Sequence, residues 1–139
     1  MATFVKFNDY VEQLNKGVHD WSTHTFKALL TNAAPNATDD EKADLTEISA
    51  GNGYSAGGMT LDTVTLSETS GTAKVTIADE VLTASGGAVA AFRYVVIYND
   101  TSTGDKLVAY YDYGSSITLG AGETFTIDFD GSAGFFTLA

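Results

Sequence analysis

The sequence has 139 residues, 18 acidic against 7 basic side chains, a formal charge of −11, fourteen glycines, one proline and no cysteine. That length fits one domain, residues 1–139, with a core of its own. The missing cysteine excludes disulfides, thiolate metal sites and thiol nucleophiles, and the charge disfavours phosphate backbones and anionic membranes, so neither nucleic acid nor membrane is an expected partner.

Nineteen threonines, seven tyrosines and eight phenylalanines beside the glycines favour pleated surfaces and tight turns. The expected class is mainly β: an antiparallel β-sandwich or jelly-roll-like barrel with one short N-terminal helix. The start MATFVKFNDY has no basic region followed by an apolar run, and no stretch approaches the roughly 18 apolar residues of a spanning helix. A soluble protein made without a cleaved leader is expected.

In chain order, residues 1–21 read as an N-terminal arm and helix. Phe7, Tyr10, Val11, Leu14, Val18 and Trp21 recur at spacings of three and four, one face of a helix. Asn8 is the expected N-cap, and Lys16-Gly17 the basic last turn and stop, giving a helix over about Asp9 to Lys16. Thr23 to Thr31 reads as the first long strand. Residues 32–58 form a polar stretch holding the sole proline, Pro35, one helical turn near Asp39–Ala43 and the turn-rich GNGYSAGG. A loop of that length reads equally as an ordered, partner-contacting element or as a simple surface excursion. Strands are then expected at Thr60–Ser67, Thr72–Ala78, Val89–Tyr98, Lys106–Tyr113, Glu123–Phe129 and Phe135–Leu138, with Gly114-Ser115-Ser116 as one of the turns. Phe92 to Tyr98 is apolar on both faces apart from Arg93, which marks a strand covered on both sides.

Residues with chemical potential have competing readings. His19 and His24 straddle the helix-to-strand junction at a spacing unsuited to a metal pair, and solvated junction histidines are expected. Asn99 to Asp105 is oxygen-rich like a calcium loop but lacks its closing bidentate glutamate, so a hairpin loop is expected. Asp128 and Asp130 have the separation a glycosidase pair needs, yet no cleft is evident, and solvated strand-edge carboxylates are the preferred reading. No enzyme activity, metal or cofactor is expected. Tyr94, Tyr98, Tyr110, Tyr111 and Tyr113 fall on neighbouring predicted strands, as cross-strand packing or as a protein- or sugar-binding surface.

The segments FVKFNDYVE from Phe4, TFKALLTN from Thr25, ISAGNGY from Ile48, ASGGAVAAFRYVVIYNDT from Ala84 and KLVAYYDYGSSITLGAGETFTIDF from Lys106 resemble small structural proteins of tailed bacteriophages. The resemblance covers nearly the whole chain. It implies a capsid decoration or cement protein, made in the host cytoplasm, that sits on the outer capsid surface of the virion and binds the major capsid protein. It further implies a homo-oligomer, a trimer in preference to a dimer. The expected partner-binding residues are Phe4, Phe7, Tyr10, Tyr54, Tyr110 and Tyr113, with the N-terminal segment and the 32–58 loop reaching across joints. The alternative is a phage tail or fibre component carrying a carbohydrate- or receptor-binding β module.

Overall fold

The computed structural model describes residues 2–139. Ten strands, all antiparallel in their pairings, form three sheets. The largest has the order β1 (Thr3–Lys6), β8 (Leu107–Leu119), β7 (Val89–Asn99), β2 (Phe26–Thr31) and β3 (Met59–Thr60). A three-stranded sheet orders β10 (Phe136–Leu138), β5 (Thr72–Thr76) and β4 (Thr65–Thr69), and β6 (Glu80–Thr83) pairs with β9 (Thr124–Ile127). One helix, α1, spans Tyr10–Asn15. The chain is mainly β, as its composition foretells.

The layers follow from alternation along the strands. On one face of the large sheet, Phe26, Ala28, Leu30, Val95, Ile97 and Ala109 pack against Val75, Ile77, Leu82, Ile127 and Phe135 of the smaller sheets and their linkers. This is a sandwich-like core. The opposite face carries a second cluster of Phe7, Leu29, Val96, Tyr98 and Leu107. β7 is therefore covered on both sides, as its two apolar faces predict.

The cover on that second face is the 32–58 segment, which is pinned to the sheet rather than free to reach outward. Leu45 packs on the cluster, Lys42 lies 5.1 Å over the Tyr98 ring, and Leu107 N–H donates to Asp40 O. Leu30 N–H donates to the Tyr54 hydroxyl (3.0 Å), which donates to Glu47 Oε1 (2.8 Å); Gly57 N–H donates to the same oxygen (2.7 Å). Tyr98 Oη closes the chain on Gly57 O. Gly58, at φ +87°, brings the backbone so near β2 that a Cβ would overlap Ala28 O.

Several expected elements differ. Residues 3–6 are an edge strand on β8, not an arm; their β-branched and aromatic residues find a partner strand far away in sequence. Asp9, not Asn8, is the helix N-cap; the helix otherwise keeps its expected span and ends by Lys16, with Val18 and Trp21 beyond it. The first long strand begins at Phe26 because residues 20–24 form turns closed by Thr23 and His24 N–H donating to Asp20 O. The helical turn in the long loop is a 3-10 turn at Lys42–Asp44. Gly114 makes no hairpin: at φ +84° it sits in a bulge, where Asp112 and Ile117 of β8 face Tyr94 and Phe92 of β7, and the strand continues to Leu119. A positive-φ glycine serves a bulge as readily as a turn.

Candidate functional site

The six residues singled out by sequence do not converge. Phe7, Tyr10 and Tyr54 are 0, 1 and 2 % exposed and are spent on the interior. Phe7 packs in the second cluster, Tyr10 Oη accepts from Trp21 Nε1 at 2.8 Å, and Tyr54 anchors the long loop. Burial pushes the Tyr10 phenol up to about 12 and raises Tyr54 further, beside Glu47. Tyr110 and Tyr113 are half-buried on opposite faces of β8, Tyr110 against Phe7 (5.3 Å) and Tyr113 against Phe125 (5.1 Å). Only Phe4 is well exposed, at 45 %. The tyrosines therefore form no common platform.

What the fold does leave open is a groove of about 350 Å³ on the inner face of the β10-β5-β4 sheet. Alternation places Leu66, Val75, Ala73, Phe136 and Leu138 on this face, and Thr65, Ser67, Lys74, Thr76 and Thr137 on the other. The β4–β5 hairpin turns through Ser70 and Gly71, both at positive φ (51° and 83°), the two-residue geometry that matches strand twist. Near the core, Val75 and Phe136 are covered. Farther out, Leu66 and Leu138 are 46 % and 55 % exposed.

The facing wall is Leu14 of α1, then Gly17, His19, Asp20 and Trp21. Gly17, at φ +78°, ends the helix, with its N–H on Leu14 O and Val18 N–H on Gln13 O, so the chain turns back across the sheet face. Trp21 stacks on Phe26 with centroids 3.7 Å apart. The Asp20 carboxylate accepts from Ser22 N–H (2.9 Å), Ser22 Oγ and Thr23 Oγ1 (2.8 Å). These bonds push its pKa down to about 2.

Behind this wall the two histidines meet, which corrects the expectation that both are solvated. Asn99 Oδ1 accepts from Thr101 and Ser102 N–H (3.0 and 3.2 Å), which fixes the amide so that Nδ2 faces His19 Nδ1 (3.2 Å) and His24 Nδ1 (3.0 Å). An amide nitrogen only donates, so both rings accept through Nδ1 and carry their hydrogens on Nε2. His19 is 5 % exposed, and its Nε2 is the one buried side-chain polar atom without a partner among the described residues. Burial first, and the nearby His24 second, push its pKa down to about 4, so it is neutral at pH 7. No spacing rule announces this arrangement, because Asn99 is some 80 residues away from His19.

Elsewhere, Asp130 Oδ1 caps a turn by accepting from Ser132 and Ala133 N–H, which lowers its pKa. Asp128 lines a separate cleft of about 280 Å³ with Tyr111, Tyr113 and Thr126. Arg93, the lone charge predicted on β7, makes a bidentate pair with Asp112 (2.7 and 3.0 Å). Five cations, Lys16, Lys27, Lys42, Arg93 and Lys106, are ion-paired among the described residues, and their partners are Glu12, Asp40, Glu41, Asp100, Asp105 and Asp112. Twelve of the 18 carboxylates thus have no cation partner there. Comparison with known protein families, curated proteins and solved structures finds no match for this chain.

Proposed function

We propose that this chain is a structural protein of a tailed-phage virion, a decoration protein that attaches to the outer face of the capsid shell through the groove on the β10-β5-β4 sheet. The observation that carries this reading is the apolar sheet face, where Leu66 and Leu138, two of the five large apolar side chains that stand about half exposed, open onto one groove. Exposed apolar surface beside a rigid core is the property of a docking module. The near full-length sequence resemblance supplies the setting. Its work is mechanical: burying apolar area at about 25 cal/mol per Å², less the cost of association, adds a small increment at each of many joints. The unpaired carboxylates outside the groove give the rest of the surface a charge that discourages unspecific sticking to nucleic acid.

The test is co-sedimentation of the purified protein with undecorated capsid shells. Saturable, stoichiometric binding that raises the temperature of shell disruption is expected. Shells that sediment without the protein at any concentration overturn the proposal. Glycan binding at the Tyr111–Tyr113–Asp128 cleft, lost in Tyr113→Ala, would instead establish the receptor-binding alternative.

A further inference from the structure

Resting on the docking reading above, we infer the chemistry of the partner: an extended segment in which apolar residues alternate with lysine or arginine, added as a strand along the free edge of β4. Three features of the groove converge on it.

The first is the edge itself. β4 has β5 on one side and no strand on the other. In an antiparallel pair alternate residues turn their N–H and C=O groups away from the partner, so β4 presents a row of backbone donors and acceptors. Edges are usually blunted by proline, by charged side chains, lysine above all, or by shortness. Thr65–Thr69 is five residues long and carries neither lysine nor proline; its one charge, Glu68, repels an acidic strand and attracts a basic one.

The second is the face that an added strand would extend. Its inward side chains would lie beside Leu66 and Glu68 and widen the groove on the β4 side, with Leu138 standing beyond β5 on the far strand. Every second residue of the incoming segment is therefore apolar, since side chains alternate across a sheet.

Charge supplies the third. Asp20 lies on the wall, and Glu68 follows Leu66 by two positions on the same face of β4. Neither has a cation partner among the described residues, where Lys6 and Lys74 are the only cations outside ion pairs. Lys74 points from the opposite face, with Nζ on Ser132 O. A second copy of this chain would bring its own −11 to the same edge, and an acidic segment would meet Glu68 and Asp20. A basic-apolar segment matches both the floor and the rim, in the strand-addition mode used by many peptide-binding sheets.

Trp21, the sole tryptophan, lines the groove and reports on it directly. The probe is a short peptide of alternating leucine and lysine, titrated against the full chain with Trp21 fluorescence as the readout, beside a matched leucine–glutamate peptide. A saturable change with the lysine peptide is expected. It should weaken about tenfold or more in Leu66→Ser, as loss of a buried leucine contact implies, and fall in Glu68→Gln in step with added salt. Leu66→Thr, a strand-favouring replacement, supplies a second variant should Leu66→Ser alter folding. The inference is overturned by no saturable change, by equal binding of the glutamate peptide, or by wild-type affinity in both Leu66 variants. Capsid co-sedimentation retained by those variants would leave the docking function standing and remove this partner and groove alone.

Discussion

β7 and β4 are both strands of antiparallel sheets, yet the structure treats them oppositely. β7 has a strand on each side, and from Tyr94 to Asn99 every residue is buried, alternately in the sandwich core and under the 32–58 segment. β4 has one neighbour, and all five of its residues are exposed. What separates them is cover supplied by distant chain. Pairing does not: Thr-Leu-Ser-Glu-Thr is in continuous register with β5, as β7 is with β2. The molecule thus divides into a scaffold whose stability is invested around β7 and a rim whose apolar residues are left available.

The sharpest way to break the scaffold side is at Phe26, which is fully buried and stacked between Trp21 and the sheet. Phe26→Ala should cost about 3–5 kcal/mol by removing the ring and leaving a cavity, read as a large drop in the denaturation midpoint. Next is the close approach of the long loop. Gly58→Ala combines a positive φ with a Cβ that would overlap Ala28 O, and should cost about 2–3 kcal/mol. Gly122→Ala is the control, because Gly122 has φ +85° but nothing within 4 Å of its Cβ. It should lose only about 1 kcal/mol, and equal losses in the two variants would show that the loop is not held by that contact.

The same contrast explains what sequence reveals. β7 announces itself because both faces are apolar over Phe92–Tyr98, and the β4–β5 turn is legible in Ser70-Gly71. β1 is hidden, since Thr3–Lys6 becomes a strand only by meeting residues 109–112. The groove is hidden for a related reason. Its apolar residues come one or two to a strand, Leu66 on β4, Ala73 and Val75 on β5, and Phe136 and Leu138 on β10, and only the hairpin and the C-terminal pairing assemble them into one face. Aromatic content misleads in the same way: Phe7, Tyr10 and Tyr54 look like contact residues, but their rings and hydroxyls are consumed by long-range partners inside.

A smaller effect lies at the boundary between scaffold and rim, where His19 sits behind the groove wall. Tyr10 and Phe26 flank its ring, Asn99 holds Nδ1, and His24, Asp9 and Lys106 are the charged or titratable groups that act on it. Its folded pKa, near 4, lies below the 6.5 of an exposed imidazole. Folding therefore disfavours its protonated form. The stability tied to neutral His19 is complete above pH 6.5 and drains away as pH falls through 4, by about 3 kcal/mol in all. His19→Gln should flatten the fall of the melting temperature between pH 7 and 4.5 relative to wild type. Parallel pH profiles for the two proteins would show that the Asn99 bond places no such demand on the ring.

The smallest effect is expected on β4, and it tests the division most directly. Leu66 and Val75 are cross-strand partners on one face, but Val75 is 1 % exposed and Leu66 nearly half. Threonine suits a pleated strand as well as either, so substitution isolates burial. Val75→Thr buries a hydroxyl among apolar groups and should cost about 1–2 kcal/mol. Leu66→Thr should stay within about 0.5 kcal/mol in the isolated chain, because the solvent already reaches the side chain it replaces. Urea denaturation of the two variants gives the comparison. If Leu66→Thr costs as much as Val75→Thr, the outer end of the groove is part of the core, and the rim has no apolar surface to lend a partner.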